Sequence, residues 1–172
     1  MSTGHTLLTI VAMLLLTTIL LNFYKLLANN GDVIQGGQDG ILMTTLATSY
    51  LEVASGMAFD SVSDTSDVAI GIPSKLTSAN TLGRETSDED SLYEFNDFDD
   101  FNNFILEEQP HGTSHKYKTS FKVQYVSPGN VQTKSTSQTF TKRMDLSTWR
   151  KFPPGKTDTL KLSMVMGYFH FD

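Results

Sequence analysis

Cysteine is absent from all 172 residues. That removes disulfide scaffolds, thiolate zinc sites, iron–sulfur clusters and cysteine nucleophiles together, while leaving the redox compartment open, because exported proteins can also lack cysteine. The motifs of common chemistry are missing as well: there is no GxSxG elbow, no glycine-rich phosphate loop followed by Lys-Ser/Thr, no GxGxxG and no HExxH. Hydrolase, nucleotide-binding and zincin readings therefore have nothing to stand on; no catalytic residue is assigned and a non-enzymatic role is expected. Positive charge is in deficit, with 13 Lys plus Arg against 19 Asp plus Glu and a formal net charge of −6. Such a balance gives no global attraction to nucleic acid, which is not expected as a partner.

Charge of either sign is missing from Met1 to Tyr24. In its place stand Leu7, Leu8, Ile10, Val11, Met13, Leu14, Leu15, Leu16, Ile19, Leu20, Leu21 and Phe23, distributed around the whole circumference of a helix. A helix from roughly Thr3 to Ala28 would be about 39 Å long, enough for a bilayer hydrocarbon core of about 30 Å. Thr6, Thr9, Thr17 and Thr18 can return their hydroxyls to carbonyls one turn back, so they cost little in an apolar setting. A cleaved secretory signal is the competing reading. Its positive n-region is absent and Leu26-Leu27-Ala28 lacks a small-x-small exit, so retention of the segment is expected. Lys25, on the C-terminal flank, is slightly adverse to export of that side.

Asn29-Asn30-Gly31-Asp32 and the glycines at 36, 37 and 40 predict an interruption near residues 29–40. From about Ile41 to Ala58 an amphipathic helical pattern follows, with Leu42, Leu46, Tyr50, Val53 and Met57 on one face. A strand is expected at Val68–Ile72, then a polar loop over 73–90. The clearest β signal is the alternation of Tyr117, Thr119, Phe121, Val123 and Tyr125 with Lys118, Ser120, Lys122 and Gln124. Ser127-Pro128-Gly129-Asn130 is turn chemistry leading towards a strand at 138–146, and Pro153-Pro154-Gly155 marks another turn before a terminal strand over 159–171. The expected class is α+β: a long N-terminal hydrophobic helix, broken near 29–40, continuing as an amphipathic helix packed on a C-terminal antiparallel sheet. The expected organisation is residues 1–30 as membrane or filament-core helix, 31–60 as break and amphipathic helix, and 61–172 as a head with an acidic loop (85–108) and a sheet (116–171).

Within the acidic loop, ten carboxylates lie between Glu85 and Glu108. Asp97, Asp99 and Asp100, with a carboxamide from Asn102 or Asn103 and loop carbonyls, could supply the six to eight oxygens that calcium takes, although the EF-hand register is missing. The competing reading is a turn anchored by Phe95, Phe98, Phe101 and Phe104 at three-residue spacing, its acids solvated. Calcium is thus the one cofactor in question. His111 and His115 are flanked by Pro110 and Gly112 and read as exposed loop residues rather than a helical metal pair. Charge is also segregated: residues 1–108 carry −13 and residues 109–172 carry +7. Either the two halves lie against each other in an ordinary fold, or the acidic loop of one copy meets the basic sheet of the next.

Gly4 followed by His5-Thr-Leu-Leu, the apolar helix, the amphipathic continuation, the Phe-Asp-Asp-Phe stretch around Asp99 and the C-terminal sheet, in that order, resemble the type IV pilin and pseudopilin family. Thr9 occupies the fifth position after Gly4, where the family usually has Glu, and the leader Met-Ser-Thr-Gly is not basic. The resemblance implies a subunit held in the membrane before assembly and then polymerised through residues near 6–28 into an extracellular filament on the cell surface. Its principal partner would be its own copies, and a surface rich in Ser and Thr would suit O-linked glycan. A single-pass, membrane-anchored pseudopilin-like component that never polymerises, and a calcium-dependent surface binding module, are the alternatives.

Overall fold

The computed structural model describes residues 3–65, 71–85, 90–152 and 159–169. It is α+β, with one long N-terminal helix and a five-stranded antiparallel sheet. Helix α1 (Thr3–Ser55) is followed by the short α2 (Ser61–Thr65) and strands β1 (Ile105–Glu108), β2 (Lys116–Ser127), β3 (Asn130–Lys134), β4 (Thr141–Phe152) and β5 (Leu160–Gly167). The chain divides into two compact units, Met1–Ile41 and Leu42–Asp172.

In the first unit, the predicted interruption at 29–40 is absent, because α1 runs through it. Gly31, Gly36, Gly37 and Gly40 all keep negative φ, the only positive-φ glycines among the described residues being Gly83 and Gly112. A helical glycine costs about 1 kcal/mol relative to Ala but retains its N–H, whereas proline, which would remove it, does not occur before Pro73. Thr6, Thr9, Thr17 and Thr18 each donate to the carbonyl three or four residues back, at 2.8–2.9 Å.

In the second unit, Met43, Ala47, Tyr50 and Ala54 form the buried stripe of the helix, flanked by half-buried Leu42, Leu46, Leu51 and Met57. The stripe is rotated from the predicted one, and Val53 is exposed, since small Ala47 and Ala54 admit close packing where bulk was expected. The sheet order is β1-β2-β4-β5, with β3 hairpinned onto the end of β2 by the Ser127–Asn130 turn. Alternation in β2 holds as far as Val123: Tyr117, Thr119, Phe121, Val123 and Tyr125 are buried as expected, but Gln124 and Val126 are buried as well, so the strand is covered on both faces at that end. The strand predicted over 138–146 is β4 instead, starting at Thr141 and reaching Phe152. Its inward positions Lys142, Thr148 and Arg150 are polar, which hides its period from a hydrophobic count. Thr148 and Thr119 face each other across the ladder with hydroxyls 3.0 Å apart. The terminal strand spans Leu160–Gly167, shorter than predicted. The predicted turn at 153–155 and most of the predicted strand at 68–72 lie outside the described residues.

The core joins Ala47, Tyr50 and Ala54 of the helix to Phe121 and Val123 of β2, Met144 and Leu146 of β4, and the four loop phenylalanines. Phe95 stacks edge-on against Phe101 and Phe104 at 5.1 and 5.0 Å, Phe101 meets Phe121 at 5.3 Å, and Tyr50 meets Phe121 at 5.5 Å. Edge-to-face pairs of this kind add about 0.5–1.5 kcal/mol each beyond their burial.

Candidate functional site

Two features of the chain are built for something other than a closed core: the naked apolar helix and a buried carboxylate cluster. On the helix, every residue of the predicted filament-core set is exposed, from 47% at Leu20 to 71% at Leu8. Single exposed apolar side chains are ordinary, but a continuous apolar surface of this extent marks a membrane or interaction surface. The helix is long and apolar enough to cross a membrane.

The carboxylate cluster is built on a tight turn, the 3-10 helix Asp99–Phe101. Phe95, Phe98, Phe101 and Phe104 are all buried, as the anchoring reading requires. Asp97, Asp99 and Asp100 are not solvated, however: each has 0% exposure, because the rings that enter the core carry the intervening backbone with them. The backbone satisfies part of these acids. Asp97 Oδ1 accepts the amides of Asp99 and Asp100 at 2.8 and 3.3 Å, and Asp100 Oδ2 accepts those of Asn96 and Asp97 at 2.8 and 3.2 Å. Main-chain N–H donors stabilise charge on these oxygens as they do at helix N-termini.

Lys142 supplies the counter-charge. Its ammonium, also fully buried, donates to the Phe59 carbonyl at 2.7 Å, to Asp60 Oδ2 at 2.9 Å and to Asp99 Oδ1, using all three protons. Asp60 accepts in addition from the Thr77 amide at 3.1 Å, the Thr77 hydroxyl at 3.0 Å and the Val62 amide at 3.3 Å. The Tyr125 hydroxyl donates to the Thr77 carbonyl at 2.8 Å. Neither Lys142 nor Asp60 was read from the sequence as a site residue. The available signal was parity, since Lys142 shares the inward register of Met144 and Leu146.

Three carboxylate oxygens remain without a hydrogen-bond partner among the described residues: Asp97 Oδ2, Asp99 Oδ2 and Asp100 Oδ1. An oxygen from each of Glu85, Asp97 and Asp99 lies within 4.8 Å of the others. Burial, then the neighbouring Asp99 charge, pushes the Asp97 carboxyl up to about 7. Burial raises Asp99 too, against the pull of Lys142. Glu85 is raised by desolvation and by the charges of Asp97 and Asp100. Asn102 and Asn103, weighed from the sequence as carboxamide ligands, are otherwise placed. Asn102 ties Leu82 to β2 by donating to the Leu82 carbonyl at 2.9 Å and accepting the Val123 amide at 3.0 Å. Asn103 takes a left-handed turn conformation at φ 63°. His115 is half-buried beside Tyr117 rather than exposed, with ring centroids 6.5 Å apart, while His111 is exposed.

No protein-family model, curated protein or solved structure matches this chain. The fold and the apolar helix define an α+β protein with a segment compatible with membrane insertion.

Proposed function

We propose that this chain is a structural subunit of an extracellular helical filament, stored in the membrane through its N-terminal helix and polymerised through that same surface. The observation that carries this reading is the exposure of the predicted filament-core residues all round the helix. A helix satisfies its own backbone hydrogen bonds, so one apolar cylinder is equally at home among lipid chains and among neighbouring helices. A cylinder apolar on every side suits a position surrounded by copies of itself, and head-to-tail contacts that do not close into a ring produce an open helical polymer. The order of features resembling type IV pilins and pseudopilins supports the same reading, with the head facing outward on the cell surface.

The test is electron microscopy of material sheared from intact cells, combined with the mass of the subunit's N-terminal peptide. Filaments containing this chain are the expected result, and the peptide mass reports whether the subunit begins at Met1, at His5 or later. Recovery of the chain in the membrane fraction with no filaments overturns the polymer and leaves a single-pass anchored protein.

A further inference from the structure

The cluster around Asp99 is short of positive charge. Asp60 and Asp99 bind the Lys142 ammonium, whose three protons are committed to them and to the Phe59 carbonyl, while Asp97, Asp100 and Glu85 adjoin Asp99 with no contact to that ammonium of their own among the described residues. Asp60 is fully supplied with donors, but Asp97, Asp99 and Asp100 each bury one oxygen that receives none from the described residues. Buried acceptors without donors are rare in folded proteins and call for a partner. Two oxygens on opposite sides of one calcium ion, each bonded at about 2.4 Å, are about 4.8 Å apart. The mutual spacing of the Glu85, Asp97 and Asp99 oxygens falls within that limit, as it must for three ligands of one ion.

We propose that Glu85, Asp97 and Asp99 form a calcium site on the head, with the free oxygen of Asp100 adding charge beside it. The donor set is all carboxylate, which suits a hard cation, and the chain has no thiolate to recruit zinc. Glu85 is exposed whereas its partners are buried, so the ion enters from solvent on the Glu85 side and waters complete its coordination there. Bound calcium ties residue 85 to the turn that begins at Asp97, fixing the polar connection against the phenylalanine-anchored core. The site lies wholly in the unit Leu42–Asp172 and needs no filament to form.

The test uses the full-length chain in detergent micelles, stripped with chelator and then titrated with calcium chloride or magnesium chloride. Heat of binding is read by calorimetry and head unfolding by near-UV circular dichroism. Saturating calcium is expected to raise the melting temperature by roughly 5 °C or more. Glu85→Gln keeps a side-chain oxygen for the hydrogen bond with Ser61 and leaves those of the Asp97–Asp100 turn in place, so it should melt like the parent in chelator while binding calcium about tenfold more weakly or worse. Asp97→Asn, which keeps an oxygen for the Asp99 and Asp100 amides, should lose the calcium response. No heat and no melting shift at about 10 mM calcium would overturn the site, given the millimolar range of weak extracellular calcium modules. So would a calcium response that both variants leave unchanged, and a shift as large with magnesium would overturn the assignment to calcium.

Discussion

Lys142 and Asp99, 43 residues apart in the chain, form an ion pair in which both side chains have no solvent exposure. Asp60 completes the arrangement from the segment that follows the helix. The three elements that meet here, the 58–60 segment, the Asp99 turn and β4, are thereby held in register by one ammonium. Ion pairs of this kind cost desolvation when formed, and their loss leaves buried charge behind. Lys142→Met should therefore destabilise the head by about 3–5 kcal/mol, measured by urea unfolding followed at the tyrosine and tryptophan fluorescence. Neutralising the stranded acids in the same chain, as Lys142→Met with Asp60→Asn and Asp99→Asn, should recover a large part of that loss. A single variant as stable as the parent would show that the pair is not a constraint on the fold.

The loop phenylalanines make a different demand, one of volume. Phe98 and Phe101 have no exposure, and Phe101 lies against both Phe95 and Phe121. Phe101→Ala should cost about 3–5 kcal/mol, through lost transfer energy and the cavity left behind. Tyr93, a few residues away and 98% exposed, is the internal control, and Tyr93→Ala should stay within about 0.5 kcal/mol of the parent. Equal effects at the two positions would contradict the anchoring of the loop by its buried rings.

These two cases show which parts of the fold can be read from the sequence. Period-two alternation from Tyr117 to Tyr125 and the three-residue spacing of the phenylalanines are hydrophobic signals, and both elements are where they predict. Lys142 and the three aspartates break those signals. A charged side chain reads as solvent-facing unless its partner is known, and the partners of Lys142 lie 82 and 43 residues away. The continuity of the helix through residues 29–40 is hidden in the sequence for another reason. Glycine and asparagine permit a break without requiring one, and a helix already propagating on both sides pays only a propensity cost to continue. In the candidate site, Asp97, Asp99 and Asp100 were legible as a group of oxygens, whereas Glu85 joins them only through the folded chain.

Surface charge behaves differently from the buried pair. Glu107 on β1 is held between Lys118 at 3.2 Å and Lys151, and the hydrogen bonds from Lys151 and Lys118 lower its carboxyl below its usual value of 4.5. The group is depressed in the folded state, so its contribution is present above that usual value and lost as pH falls through the lower folded one. In a carboxyl-labelled sample its NMR titration midpoint should lie below that of free glutamate and move back towards it in high salt, because exposed charges are screened. Glu107→Gln should leave the melting temperature near neutral pH almost unchanged. A salt-independent midpoint would show that the lysines are not the cause.

Leu15 lies near the middle of the stretch from Thr3 to Tyr24 that carries no charge, and its side chain is 59% exposed. An aspartate at the centre of a spanning helix costs about 2.5–3.5 kcal/mol by insertion measurements, enough to reduce membrane insertion severely. In a filament core the same carboxylate would be buried among apolar neighbours with no partner, which is at least as unfavourable. Leu15→Asp should therefore deplete the chain from the membrane and abolish filaments in sheared material, while Leu15→Ala, which shortens the side chain without adding charge, should insert and assemble. Because the substitution lies in the unit that ends at Ile41, the detergent-solubilised head should keep the parent's near-UV spectrum and melting temperature, separating lost assembly from lost folding. Normal filament yield from the aspartate variant would exclude this helix as the polymerisation surface, and normal membrane insertion without filaments would assign residues 3–24 to self-association rather than anchoring.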